Sequence, residues 1–233
     1  MTTEIAILIF SAITIGFFHT ILGPDHYLPF IVMAKARNWS VAKTSWITVL
    51  CGIGHVGSSI LLGSIGLAFG IGISKLAGLE SFRGNLAGWA FVIFGLGYSI
   101  WAFWRMKKNK PHSHAHVHID GTIHNHDHKH KGEHLHGHKK SLTPWILFLI
   151  FVLGPCEPFI PLLMYPAAKS SLTGMIAVTI TFSFVTIATM LGVVLLTSYG
   201  INFARLGKME KYIHVIAGLT ILISGVGIQF LGL

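Results

Sequence analysis

Charge-poor apolar runs alternate with short basic clusters along the chain, and six of them, at 5–33, 45–73, 85–104, 142–168, 172–198 and 212–232, stand out. A helix needs about 20 predominantly apolar residues to cross the hydrocarbon of a bilayer, and each run reaches that length. The pattern therefore predicts an all-α polytopic membrane protein with six transmembrane helices. Residues 106–141, between the third and fourth runs, show no hydrophobic periodicity and read as a loop. The first run opens with Met1, Thr2, Thr3 and Glu4, an acid where a signal peptide carries basic residues, and it is too long for a signal core, so it is expected to stay in the mature protein.

Composition supports the same class. Hydrophobic residues make up 52% of the chain and charged ones 11%, against about 25% charged in soluble domains. A net charge of +9 would suggest nucleic acid in a soluble protein, but its distribution argues otherwise. Fourteen of the seventeen Lys and Arg follow the first, third and fifth runs, and only Lys75, Arg83 and Lys169 fall on the other side. The positive-inside rule then puts both termini outside and the long loop in the cytosol of a multi-pass cell-membrane protein. Trp39, Trp46, Trp101, Trp104 and Trp145 flank the basic side like an interfacial belt. The expected partners are the lipid bilayer, metal ions and a second copy in a homo-oligomer, with no nucleic acid.

A short repeat organises the unusual residues. Leu22-Gly23-Pro24-Asp25-His26 and Leu153-Gly154-Pro155-Cys156-Glu157 match at an offset of 131, and Met33 falls on Met164. Three runs separate the copies, so the halves have opposite topology, an inverted 3+3 repeat of the kind recurrent in secondary transporters. The expected units are 1–105, the loop 106–141, and 142–233. Six of the eight Pro lie in the two motifs (Pro24, Pro29, Pro155, Pro158, Pro161 and Pro166), and Pro removes a backbone bond inside a helix. The first and fourth helices are therefore expected to be broken, which membranes tolerate only where the break is buried in protein or lines a cavity.

Asp25 and Glu157 are the only acids within the six runs, and an intramembrane ionisable residue marks a functional site by default. A pseudo-twofold axis brings Asp25 and His26 against Cys156 and Glu157, four residues of metal-ligating type. His19, seven residues before His26, and His55, in Gly54-His55-Val56-Gly57, join the candidate metal set, although spacing alone does not fix which of His19, Asp25 and His26 converge. Cys51 reads as a small apolar filler. The loop adds eleven histidines in alternating runs: His112, His114, His116, His118, His124, His126, His128, His130, His134, His136 and His138. They suit a disordered metal-binding tract with a preference for Zn, Ni, Cu or Co.

With these residues in view, the chain resembles the nickel/cobalt transporters and related small exporters of the lysine-exporter-type superfamily. His19 followed by Asp25-His26 is similar to their His-x4-Asp-His motif, with a spacing of five rather than four. The resemblance implies that His19, Asp25 and His26 contact metal. Gly154-Pro155-Cys156-Glu157-Pro158 looks instead like the Pro-Cys motif of the membrane thiol-disulfide reductases of cytochrome c biogenesis, with Asp25 where their other Cys stands. The expected function is efflux of divalent Ni, Co or Zn by alternating access between the repeats. The alternatives are a membrane thiol-disulfide carrier, in which Cys51 and Cys156 pair, and a sulfite-type anion exporter. No hydrolase, kinase or dinucleotide motif is present, so neither an enzyme nor a prosthetic group is expected; divalent metal enters as substrate.

Overall fold

The computed structural model describes residues 3–108, 113–117, 123–127, 142–169, 171–203 and 207–231. Its helices are α1 (Thr3–Leu22), α2 (Leu28–Arg37), α3 (Val41–Ala68), α4 (Ile73–Lys108), α5 (Thr143–Leu153), α6 (Phe159–Ala168), α7 (Leu172–Phe203) and α8 (Ile213–Leu231), with 3-10 turns at Pro24–His26 and Gly207–Tyr212. Among the described residues, five helical segments are long and apolar enough to cross a membrane: α1, α3, α4, most of α7, and Glu210–Leu231, which contains α8. The chain is a multi-pass membrane protein, helical except for one short hairpin among the described residues.

The first and fourth apolar runs each resolve into two helices, parted at Gly23–Tyr27 and at Gly154–Pro158. The Pro residues account for both interruptions. Beyond the breaks the elements keep the offset of 131: α2 begins at 28 and ends at 37, α6 at 159 and 168, while α3 begins at 41 and α7 at 172. Tight turns set these boundaries. Asn38, at φ 51, ends α2 in a left-handed conformation, with Trp39 N donating to Ala34 O at 2.9 Å, the double-bonded C-terminal motif that satisfies the last carbonyls of a helix. Ser40 then caps α3 by accepting from Lys43 N at 3.2 Å.

One expectation needs correction. The third helix begins at Ile73 instead of 85, which brings Glu80 and Arg83 inside it. A hydropathy reading counts these as two charges and stops the run, whereas in the fold they neutralise one another. The expected all-helical architecture holds, and within the loop one short pairing is described. Ser113–Val117 (β1) and Ile123–Asp127 (β2) pair antiparallel, with His114 opposite His126 and His116 opposite His124. The His-x-His alternation is itself a two-residue period, and Asp120-Gly121 lies between the strands in sequence, a hairpin signal. His112, His118, His128, His130, His134, His136 and His138 lie outside the described residues.

Helix α4 packs along α8, α1 along α7, and α3 against both α5 and α7. Phe30, Met33, Cys51, Phe91, Phe151, Met190 and Ile221 form one apolar cluster, and Ala12, Val56, Cys156, Phe159 and Phe182 belong to a second. Phe10, Trp46, Phe69, Ile93, Phe184, Leu196 and Phe230 point outward; an apolar exterior on this scale requires lipid, since soluble monomers rarely carry contiguous patches of such size. At the α4–α8 seam, a Cβ on Gly225 would lie 2.7 Å from Val92 N, and one on Gly218 would lie 2.7 Å from Ser99 N. Backbone meets backbone there, as small residues allow in membrane helices.

Candidate functional site

The two interruptions satisfy their freed backbone groups in different ways. At the first, Gly23 N donates to His19 O at 3.1 Å, His26 N to Gly23 O at 3.1 Å and Tyr27 N to Pro24 O at 3.3 Å, so the 3-10 turn is largely self-contained. The second interruption is held from outside by α4. Arg83 donates to Val152 O at 2.8 Å and to Gly154 O at 3.2 Å, and Cys156 N donates to Glu80 Oε2 at 3.1 Å. Glu80 Oε1 accepts from Arg83 at 2.6 Å, while Ser58 and Ser59 accept from the same guanidinium. Glu80 is fully buried. An acid and a base three residues apart on one helix face thus clamp the end of α5 and fix Cys156. Sequence reasoning missed both residues; the Glu80-x-x-Arg83 spacing was the available signal.

His19 near the end of α1, His26 in the 3-10 turn and His55 midway along α3 converge. Each offers one ligand-type nitrogen, and the three atoms lie within 4.8 Å of one another. Ring centroids are 4.7 Å apart for His19 and His26 and 5.0 Å for His26 and His55. His26 and His55 are buried, and His19 is partly so. His26 Nδ1 lies 3.1 Å from Gly23 O and 3.2 Å from Asp25 Oδ1. Asp25 thus stands behind His26 and outside the ring of nitrogens.

The other expected residues fall around this cluster. Cys156 Sγ lies 4.0 Å from His19 Nε2. Glu157 is exposed and lines a cavity of about 720 Å³ together with His19, Asp25, His26, Asn85 and Gln229. The expected meeting of Asp25, His26, Cys156 and Glu157 is thus looser than the histidine cluster at its centre. Cys51 and Cys156 are both free, both buried, and packed in separate apolar clusters.

Gly23 and Gly154, 131 positions apart, each press on one of these imidazoles. A Cβ on Gly23 would lie 2.6 Å from His26 Nδ1, and one on Gly154 would lie 3.0 Å from His55 Nδ1. Gly23→Ala should therefore turn His26 out of the cluster and cost about 1–3 kcal/mol, as overpacking does. Gly78→Ala, with nothing within 4 Å of the added atom, should be neutral or stabilising by up to about 1 kcal/mol. Thermal unfolding of the two variants in detergent compares them directly; equal melting temperatures would show that the Gly23 contact relaxes freely.

Residues 28–227 match the family described as cytochrome C biogenesis protein transmembrane region. No curated protein and no solved structure matches the chain. The family match overturns the nickel/cobalt-transporter resemblance and, with it, the reading of the chain as an exporter of Ni, Co or Zn. That resemblance rested on His19, Asp25 and His26, which all precede the matched residues, whereas Pro155-Cys156 lies within them. The chain belongs to the cytochrome C biogenesis protein transmembrane region family.

Proposed function

We propose that this protein carries out thiol-disulfide exchange within the membrane, of the kind cytochrome c biogenesis uses, with Cys156 as the reacting thiol. Beside the family, the observation that carries this reading is the approach of Cys156 Sγ to His19 Nε2 at 4.0 Å, next to a cavity lined by Pro155 and Glu157 on either side of the cysteine. The thiolate is the nucleophile in exchange, and His19 is placed to accept the proton. The thiolate attacks one sulfur of a partner's disulfide; a bond to Cys156 forms as the partner's S–S bond breaks, and the released partner thiolate takes the proton from His19. A second partner thiol then resolves the mixed disulfide, returning Cys156 to its reduced form and leaving the two partner sulfurs joined.

Separate packing of Cys51 and Cys156 favours exchange with an outside thiol over an internal disulfide between them. Arg83 gives the anion-exporter alternative no support, because its terminal nitrogens are already committed to Glu80, Ser58 and two carbonyls.

With this function we infer two three-helix units, 1–105 and 142–233, of opposite orientation, joined by a cytosolic loop at 106–141 and with both termini outside. The recurrence of element boundaries at an offset of 131 and the one-sided distribution of Lys and Arg support that arrangement.

The test is to trap the mixed disulfide in membranes by quenching with acid and alkylating free thiols, then to run non-reducing gels. Wild type and Cys51→Ser should give adducts that reductant removes, and Cys156→Ser should give none. Adducts that persist in Cys156→Ser would sink the assignment.

A further inference from the structure

We propose that His19, His26 and His55 hold a resident first-row transition-metal ion of the zinc or cobalt(II) type. The site goes beyond the thiol reading and shares only His19 with it, whose lone pair serves either the ion or the Cys156 proton at any one time. His26 and His55 are each 3% exposed, and the Nε2 of both is buried with no hydrogen-bond partner. A neutral imidazole has one N–H, and His26 Nδ1 directs it to Gly23 O or Asp25 Oδ1. His26 Nε2 is then a bare lone pair, and no donor, His55 included, bonds it. Burying such an acceptor without a partner is costly. A cation between the two Nε2 atoms satisfies both at once.

The surroundings have the form of a ligand's outer support. Metal-bound histidines characteristically donate their second N–H to a carbonyl or carboxylate, which fixes the tautomer and the ring orientation. Here Gly23 O with Asp25 serves His26. Tetrahedral coordination with bonds of about 2.0–2.1 Å sets ligand atoms about 3.4 Å apart, so closing a ring whose atoms already lie within 4.8 Å takes small tilts of the imidazoles. Three imidazoles without a thiolate or carboxylate in the ring suit Zn²⁺, Co²⁺, Ni²⁺ or copper and disfavour Mg²⁺ and Ca²⁺. His19 and His26 line the cavity and His55 does not, so an ion reaches the ring from that side; His26 and His55, each 3% exposed, keep it largely enclosed.

The full chain, purified in detergent and stripped with chelator, is loaded with Co²⁺ and passed over chelating resin. Wild type should keep an equimolar amount of Co²⁺ with the visible absorption of a tetrahedral site, and Zn²⁺ should displace it. The loop histidines are present in every variant, so differences between variants report the core site. His26→Gln and His55→Gln should each lose the retained ion. If either fails to fold, His19→Gln, at a half-buried position, should show the same loss. Asp25→Asn should retain Co²⁺ with affinity weakened about 10- to 100-fold. Cys156→Ser should retain it unchanged, which separates this site from the thiol chemistry. Wild type that keeps no Co²⁺, or His26→Gln, His55→Gln and His19→Gln that keep as much as wild type, overturns the proposal.

Discussion

Arg83→Ala should destabilise the protein by about 3–5 kcal/mol, the cost of removing one partner from a buried ion pair. The loss has three parts. Glu80, fully buried, keeps a charge with no counterion, and the carbonyls of Val152 and Gly154 lose the guanidinium that donates to them. Cys156 N loses the fixed position of its acceptor, because Glu80 is itself held by Arg83. Arg83→Lys should recover only part of the stability, since an ammonium lacks the planar fork that reaches Glu80, a serine and the end of α5 together. Pairing Glu80→Gln with Arg83→Ala removes the orphaned charge and should be less costly than the two single losses summed, though still destabilising because the carbonyls stay unpaired. Equilibrium unfolding in detergent measures all four variants. A loss of under about 1 kcal/mol for Arg83→Ala, the range of an exposed pair, would mean that water reaches the clamp.

Gly95→Leu should abolish assembly of α4 on α8. A Cβ at Gly95 already runs into the backbone of Leu222 and approaches Gly218 O to 2.8 Å, and backbone atoms of a packed helix cannot turn aside as a side chain can. The larger residue forces the two helices apart along the whole seam, where Gly88, Gly218 and Gly225 also depend on close approach. Gly95→Ala should cost about 1–3 kcal/mol, and Gly95→Leu should leave no monodisperse protein on size-exclusion chromatography. Gly97→Leu, with nothing within 4 Å of its added Cβ, should elute like wild type. Normal elution of Gly95→Leu would mean that α4 and α8 do not pack as described.

These two sites also show what could be read from the chain and what could not. The interruptions were legible because Pro leaves an explicit mark: Pro24 and Pro155 follow paired glycines, and the helices stop there. The clamp was not, because Glu80 and Arg83 look like the end of an apolar run until the unpaired carbonyls of α5 are brought beside them from some seventy residues away. His19 and His26 could be named from one segment, but their spacing could not fix their convergence across the Gly23-Pro24 break. His55 could be named as a candidate but not placed, since its position depends on how α3 passes the first interruption. The same limit misled the family reading. Three residues near the start of the chain suggested metal transport, while the resemblance that matters extends over 28–227 and includes Pro155-Cys156. A short motif fixes residue types, and it carries little information about which chemistry the surrounding helices support.

Helix α5 has eleven residues, so it is about 16 Å long at 1.5 Å per residue, near half the roughly 30 Å of a bilayer's hydrocarbon. With Trp145, in the first turn of α5, as an interfacial anchor on the basic side, the proposed arrangement puts the reacting sulfur near mid-depth. A partner whose disulfide sits on a broad, rigid surface is stopped at the headgroups by its own bulk. The disulfide that reacts must arrive on something slender, a free low-molecular-weight disulfide or one extended strand of a peptide, and the depth of the thiol thereby selects its partners by cross-section before any side chain recognises them.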